Sequence, residues 1–274
     1  MLKARKAITM MTPSRLATIL IAGSIAILSG CQSYNTVMGS GTSVTATDRA
    51  RLTKSGFLSD YKRLKPNPAA DGVECWREGG IDLKPFNKVM ISNIMVSISP
   101  PADGDSYTPV DPTDLKILTD YFNDSLKRAL MPQMQVVSAP ARDVVVIRIV
   151  LTDLVPTSIL RSTAGTLTPY GFVAEAGAGV ATGRPAGSTP YLGETGMEIQ
   201  FVDGGSGKVL GECRDTQIGR KYASDLNSNT VGAAQTWASG YVNSFQSWSY
   251  AKNAFDKWSA LIARRLGELR GLPN

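Results

Sequence analysis

The stretch ILIAGSIAILSGC, Ile19 to Cys31, constrains the chain most. It is almost wholly apolar or small and ends on a cysteine. A helix that crosses a bilayer needs roughly 20 apolar residues, because the hydrocarbon core is about 30 Å thick and each helical residue rises about 1.5 Å. Counting back to Leu16 still leaves the run short. Lys3, Arg5, Lys6 and Arg15 precede it, with no acidic residue among them. A basic start, a short apolar stretch and a small-residue site together predict a removable secretory signal over residues 1–30. The fold must then be built from residues 31–274.

Leu28-Ser29-Gly30-Cys31 resembles the lipobox of bacterial lipoproteins. The resemblance implies cleavage between Gly30 and Cys31, lipid on the Cys31 thiol and acylation of the new amino terminus. Each buried methylene adds about 0.8 kcal/mol, so several chains anchor far more firmly than one. The alternative is an ordinary signal peptide with an incidental cysteine. Gln32, rather than an aspartate, follows the cysteine. By resemblance to lipoprotein sorting, this implies the outer membrane, with the body on the periplasmic face.

Removing the leader, with its four basic residues and no acids, takes the net charge from +6 to +2. The pI of 9.2 is therefore partly an export signal. No basic run survives that would suit a phosphate backbone, so no nucleic-acid partner is expected. The remaining 244 residues are enough for one large domain or two small ones.

The chain contains no histidine. That removes Ser-His-Asp and Cys-His machinery, the usual histidine zinc sites and the commonest acid/base group near neutral pH. Carboxylate pairs or a Ser-Lys pair remain as routes to catalysis. Nothing marks any such pair, so no catalytic, cofactor-binding or metal-binding residue is assigned, no cofactor is expected, and the chain does not read as an enzyme.

The cysteines are Cys31, Cys75 and Cys213. With Cys31 lipidated, an even pair remains in an exported chain, which predicts a Cys75–Cys213 disulfide. Two separate buried thiols are the alternative. A catalytic thiol would need an activating partner, and there is neither a CxxC nor a histidine.

Residues 31–54 are polar and rich in Ser, Thr and Gly, as expected of a flexible tether. Fully extended, such a segment reaches about 70 Å. SGFLSDYKRLKPNP comes next, from Ser55 to Pro68. Phe57, Leu58, Tyr61 and Leu64 are its apolar anchors, and Pro66 and Pro68 impose extended geometry. The pattern predicts an arm packed on the domain. SGFLSDYKRLKP also resembles the opening motif of a family of bacterial lipoproteins built on an uncharacterised domain (domain of unknown function, number 3313). The order of lipobox, tether, motif and α/β body matches as well. The resemblance implies an envelope lipoprotein and supplies no catalytic residues.

NKVMISNIMVSIS (Asn87 to Ser99) reads as a strand. DPTDLKILTDYFNDSLKRALM (Asp111 to Met131) is the clearest helix. Asp111 can cap it, Pro112 suits the first position, and Asp114 favours the positive end. Leu115, Leu118, Phe122, Leu126 and Leu130 form one apolar stripe. MQVVS (Met134 to Ser138) is a short strand, and RDVVVIRIVLTDLVP (Arg142 to Pro156) a long central one. TGMEIQFVDGGSGKVLGECRDTQIG (Thr195 to Gly219) reads as a hairpin. DGGSGK is its turn, with Met197, Ile199 and Phe201 on one face and Val209 on the returning strand. Asp203 reads as a turn former. The last helix is SFQSWSYAKNAFDKWSALIARRLGELRG (Ser244 to Gly271), with Trp248, Phe255, Trp258, Ile262, Leu266 and Leu269 near one face. It is expected to be a core helix; a surface helix for anionic lipid or a partner is the alternative.

The fold class expected is an α/β (α+β) sandwich, a mixed sheet of about five strands packed by two main helices, with an N-terminal extended arm. It forms one domain over 55–274 with a Gly-rich insertion near 162–193. The arrangement looks like small envelope domains of translocation-type periplasmic proteins and curli-secretion lipoproteins. Gly179, Gly183 and Gly187 in the insertion fall four apart, and a loop or hairpin is favoured over a packing face. Ser224 to Thr236 reads as a polar loop. The expected function is a lipid-anchored binding or structural module of the envelope, with the membrane, an envelope protein or a second copy as partner. The alternatives are a carboxylate enzyme and a subunit of a membrane pore or secretion assembly; the pore needs a 9–11-residue apolar/polar alternation that the Gly-rich stretch shows poorly.

Overall fold

The computed structural model describes residues 43–45, 52–97, 110–155, 193–219 and 248–272. The leader with Gly30 and Cys31, most of the tether, all but the last residue of the Gly-rich segment 162–193 and the polar stretch 224–236 lie outside the described residues.

Among the described residues the elements are β1 (Ser43–Thr45), β2 (Lys65–Pro66), β3 (Glu74–Arg77), β4 (Lys88–Ile91), β5 (Met95–Val96), α1 (Pro112–Leu130), β6 (Gln135–Val136), β7 (Val144–Val155), β8 (Glu194–Asp203), β9 (Val209–Gly219) and α2 (Ser249–Arg270). All nine strands join one mixed sheet; seven follow the order β2-β3-β9-β8-β7-β4-β6, while β1 pairs with β9 and β5 with β7. The antiparallel ladder β7-β8-β9 is its centre. Both flanks are built from short pieces laid end to end. β4 and β5 run parallel to successive parts of β7. β3 and β1 run antiparallel to successive parts of β9. β4, β6, β7, β8 and β9 answer to the expected strands, β6 with only two residues; β3, of four residues, and the short β1 and β2 were not expected, and β5 is the far end of the strand expected over Asn87 to Ser99.

The strand expected over Asn87 to Ser99 is interrupted. Ser92 to Ile94 leave the ladder between β4 and β5, although Ser92 N–H still donates to the Ile147 carbonyl. The hairpin register also differs from the expectation. A shift between Phe201 and Val202 pairs Val209 with Val202 and makes Leu210 the extra residue. Leu210, not Val209, therefore enters the core. Such a bulge re-aims side chains locally.

α1 starts as its sequence dictates. The Asp111 carboxylate accepts from Thr113 N–H and Pro112 occupies the first turn. Leu118, Phe122, Leu126 and Leu130 are fully buried on one stripe. α2 ends at Gly271, whose φ of 76° makes the left-handed cap that glycine favours. The helices run side by side in the same direction. Trp248 Nε1 donates to Asp114 near their starts, Ser125 Oγ to Asp256 midway, and Arg270 to the Gln133 carbonyl at the end. Phe122 stacks on Phe255 with centroids 4.6 Å apart, and Trp258 lies against both rings. Together they cover Val145, Ile147, Ile149, Leu151, Met197 and Ile199 of the sheet.

Candidate functional site

Side chains alternate across a strand, so β8 and β9 carry two different faces. Met197, Ile199 and Cys213 look toward the helices. Glu198, Gln200, Glu212 and Arg214 look the other way, and all four are buried. What buries them is the arm.

Residues 52–64 lie across this second face and are fastened by a polar network. Ser55 N–H and Oγ and the Tyr61 hydroxyl donate to the Glu198 carboxylate. Ser59 N–H and Oγ, Arg63 Nη2 and Gln200 Nε2 donate to Glu212. Arg148 donates to Gln200 Oε1. Arg214 forks onto Glu74 with contacts of 2.9 and 2.8 Å, both side chains being 4% exposed, and also donates to the Leu52 carbonyl. The Arg63 guanidinium stacks over Trp76 at 3.3 Å. Leu58 and Leu64 are buried as expected, whereas Phe57 and Tyr61 are half-buried.

Burial acts to raise the Glu212 carboxyl, but the hydrogen bonds from Arg63, Ser59 and Gln200 outweigh it and hold Glu212 below its ordinary range. Asp153 goes the other way. Burial pushes it up, the Thr53 and Thr152 hydroxyls oppose that, and the nearby Glu194 and Glu198 charges add to the rise. Asp215, on the helix side, is raised by burial against the opposing donation of the Trp258 indole N–H at 2.8 Å. No group of acidic or cysteine side chains suited to a metal occurs among the described residues, and no described helix is long and apolar enough to cross a membrane.

The helix side holds a cavity of about 320 Å³. It opens where α2 stops covering β9 and β3. Met197, Ile199 and Leu210 form its floor, and Leu261, Ile262 and Leu266 of α2 its roof. One wall is the Cys75–Cys213 disulfide, which joins directly opposed residues of β3 and β9. Cys213 and Phe201 lie on the covered side of the sheet yet stay partly exposed, because the cavity reaches them. Recesses of this size with apolar walls and a few polar groups at the rim are the usual form of small-molecule sites. The polar rim consists of Asn67, Arg77 and Arg265. Glu212 borders the cavity, but its carboxylate is held on the arm side.

The predicted disulfide pair is thus brought together. Asp203 forms the hairpin turn, accepting from Gly205 N–H, Ser206 N–H and Ser206 Oγ. Sequence reasoning placed neither the buried acids under the arm nor the rim arginines. The available signal was the alternation of Glu198, Gln200, Glu212 and Arg214, and a polar alternate face reads as a solvent face until its cover is known.

A family model described as "Protein of unknown function (DUF3313)" matches residues 53–262. The chain belongs to this family. The matched span opens with the arm, so the DUF3313 unit includes the segment that closes the second face of the sheet. No curated protein matches the chain. Among solved structures, it is similar to a PelC dodecamer from Paraburkholderia phytofirmans, at 12% identity over 64% of this chain and 98% of that one, with a TM-score of 0.29. It is also similar to protein XCC0632 from Xanthomonas campestris, of the DUF330 family, at 11% identity over 75% and 94%, with a TM-score of 0.30. A DUF4136 family protein from Bacteroides thetaiotaomicron is 13% identical over 67% and 96%, with a TM-score of 0.24. At these scores the likeness extends to neither function nor assembly.

Proposed function

We propose that this DUF3313 chain is a lipid-anchored outer-membrane lipoprotein facing the periplasm, and that its domain is a binding module rather than an enzyme. The observation that carries the reading is the Cys75–Cys213 bond walling an apolar recess. A disulfide between strands supports an oxidising compartment, and an apolar recess supports binding. The short apolar run closed by Leu28-Ser29-Gly30-Cys31 supports the anchor, and Gln32 supports the outer membrane. Against catalysis by paired carboxylates stands the geometry of the second face. Glu198 and Glu212 already receive arm donors, and the recess has no carboxylate turned into it.

The test is metabolic labelling with an alkyne fatty acid, followed by separation of inner and outer membranes. Wild-type protein is expected to carry label and to sediment with the outer membrane, and Cys31→Ser is expected to lose both. Unlabelled wild-type protein in the soluble fraction would overturn the anchor. Mild cross-linking in intact cells then reads the partner, as a ladder of self-adducts or an adduct to one envelope protein.

A further inference from the structure

The recess has a definite chemistry. Among the described residues its inner lining is almost wholly apolar. The Trp258 indole N–H is committed to Asp215, so only the ring is presented. The rim is cationic. Arg77 is exposed and has no hydrogen-bond or acidic partner among the described residues. On β3 it shares the side of Cys75, which places it over the opening. Arg265, one turn before the end of α2, is half-buried and bonded to Glu268, which also faces Arg264. Arg264 also reaches Asp71, so the rim's surplus positive charge is that of Arg77. An apolar chamber with a cationic rim suits an alkyl chain ending in an anion. The volume of about 320 Å³ lies at the small end of ligand pockets, which suits one chain rather than two.

We propose that this cavity binds the alkyl chain of a single-chain carboxylate amphiphile, a long-chain fatty acid, with Arg77 and Arg265 holding the carboxylate at the mouth. The proposal rests on the binding-module reading and names its ligand class. Specificity for chain length follows from the limited volume of the cavity, and specificity for the anion from the two guanidinium groups.

The experiment uses the full chain carrying Cys31→Ser, so that no attached lipid competes. It is irradiated with a diazirine-bearing palmitate, and the adducts are mapped by peptide mass spectrometry. Labelling is expected on the peptides that hold Leu261 to Leu269 and Leu210 to Cys213, and palmitate is expected to compete it. Each pair of methylenes removed from the competitor should weaken competition about tenfold. Arg77→Gln with Arg265→Gln should weaken it about tenfold or more. Leu269→Trp, which fills the mouth, should abolish it while an intact disulfide and unchanged near-UV dichroism report a folded chain. Diffuse labelling, labelling indifferent to Leu269→Trp, equal competition by the uncharged alcohol, or stronger competition by a two-chain phospholipid would each overturn the proposal. Failure here with wild-type protein still anchored through Cys31 would leave the lipoprotein reading standing; loss of the anchor with labelling retained would do the reverse.

Discussion

The Tyr61 hydroxyl donates to Glu198 over 2.9 Å and accepts from Gly56 N–H over 2.8 Å, so one side chain fastens the arm to β8 and also closes the arm's own turn. Gly56 sits at a φ of 84°, a conformation that glycine adopts without strain. Burial, together with the bond to Glu198 and its charge, pushes the phenol above its ordinary range, so it stays a donor at any physiological pH.

Tyr61→Phe removes these bonds, and the weaker one from Leu58 N–H, and keeps the ring. It is expected to cost about 1–3 kcal/mol, because Glu198 loses a buried donor. Hydrogen exchange should quicken over 55–63 more than over α1 or α2. Uniform quickening would show that the arm is not a separate latch.

The Arg214–Glu74 pair is buried at both ends. Arg214→Met alone is expected to cost about 3–5 kcal/mol, since it removes the cation from a buried ion pair. Adding Glu74→Leu should recover most of that loss. A double-mutant cycle in urea reads the coupling, and an additive result would place the cost in packing instead.

Asp153 sits at a φ of 51°, a position that asparagine tolerates well, between the Thr53 and Thr152 hydroxyls. Its pKa is raised in the fold, so its contribution to stability is full below the ordinary Asp range and is lost as pH rises through the raised value. Asp153→Asn is therefore expected to raise Tm near pH 8, by about 2–4 °C for each kcal/mol recovered in a domain of this size. Near pH 3, below the ordinary Asp range, the variant and the parent should converge. Glu212 behaves oppositely. Its pKa is lowered, so the stability it lends is present above the ordinary Glu range and disappears as pH falls through the lowered value. Acid should loosen the arm at Glu212, and Glu212→Gln should flatten that limb of a stability-against-pH curve.

Replacing Cys75 and Cys213 with serine is expected to cost about 2–5 kcal/mol. The recess loses its wall in the same step, so the fatty-acid adduct should weaken in parallel with the loss. Denaturant melts with and without reductant read the first effect.

Much of this fold is legible from local chemistry. Asp111, Pro112 and the leucine stripe write α1 almost to the residue, and DGGSGK writes the β8–β9 turn. These signals need no knowledge of the rest of the chain. The break at Ser92 to Ile94 and the shift at Leu210 are set by pairing with β7 and by the closing geometry of the sheet, which short windows do not carry. The arm was legible through Leu58 and Leu64. Its polar grip was not, because Ser55, Ser59 and Arg63 look like ordinary surface residues until Glu198 and Glu212 are known to face them. The recess depends on where α2 ends its coverage of β9, a relation between elements far apart in the chain.

The cross-link has a mechanical meaning as well. β1, the arm and β2 all precede Cys75 in the chain, and each lies on the sheet through noncovalent contacts alone. A pull from the amino-terminal side would unzip them in turn, one rung at a time. It would then meet a covalent tie into β9, the neighbour of the central strand. The first segments act as a yielding leash, and beyond Cys75 the load passes into the whole ladder instead of peeling its edge.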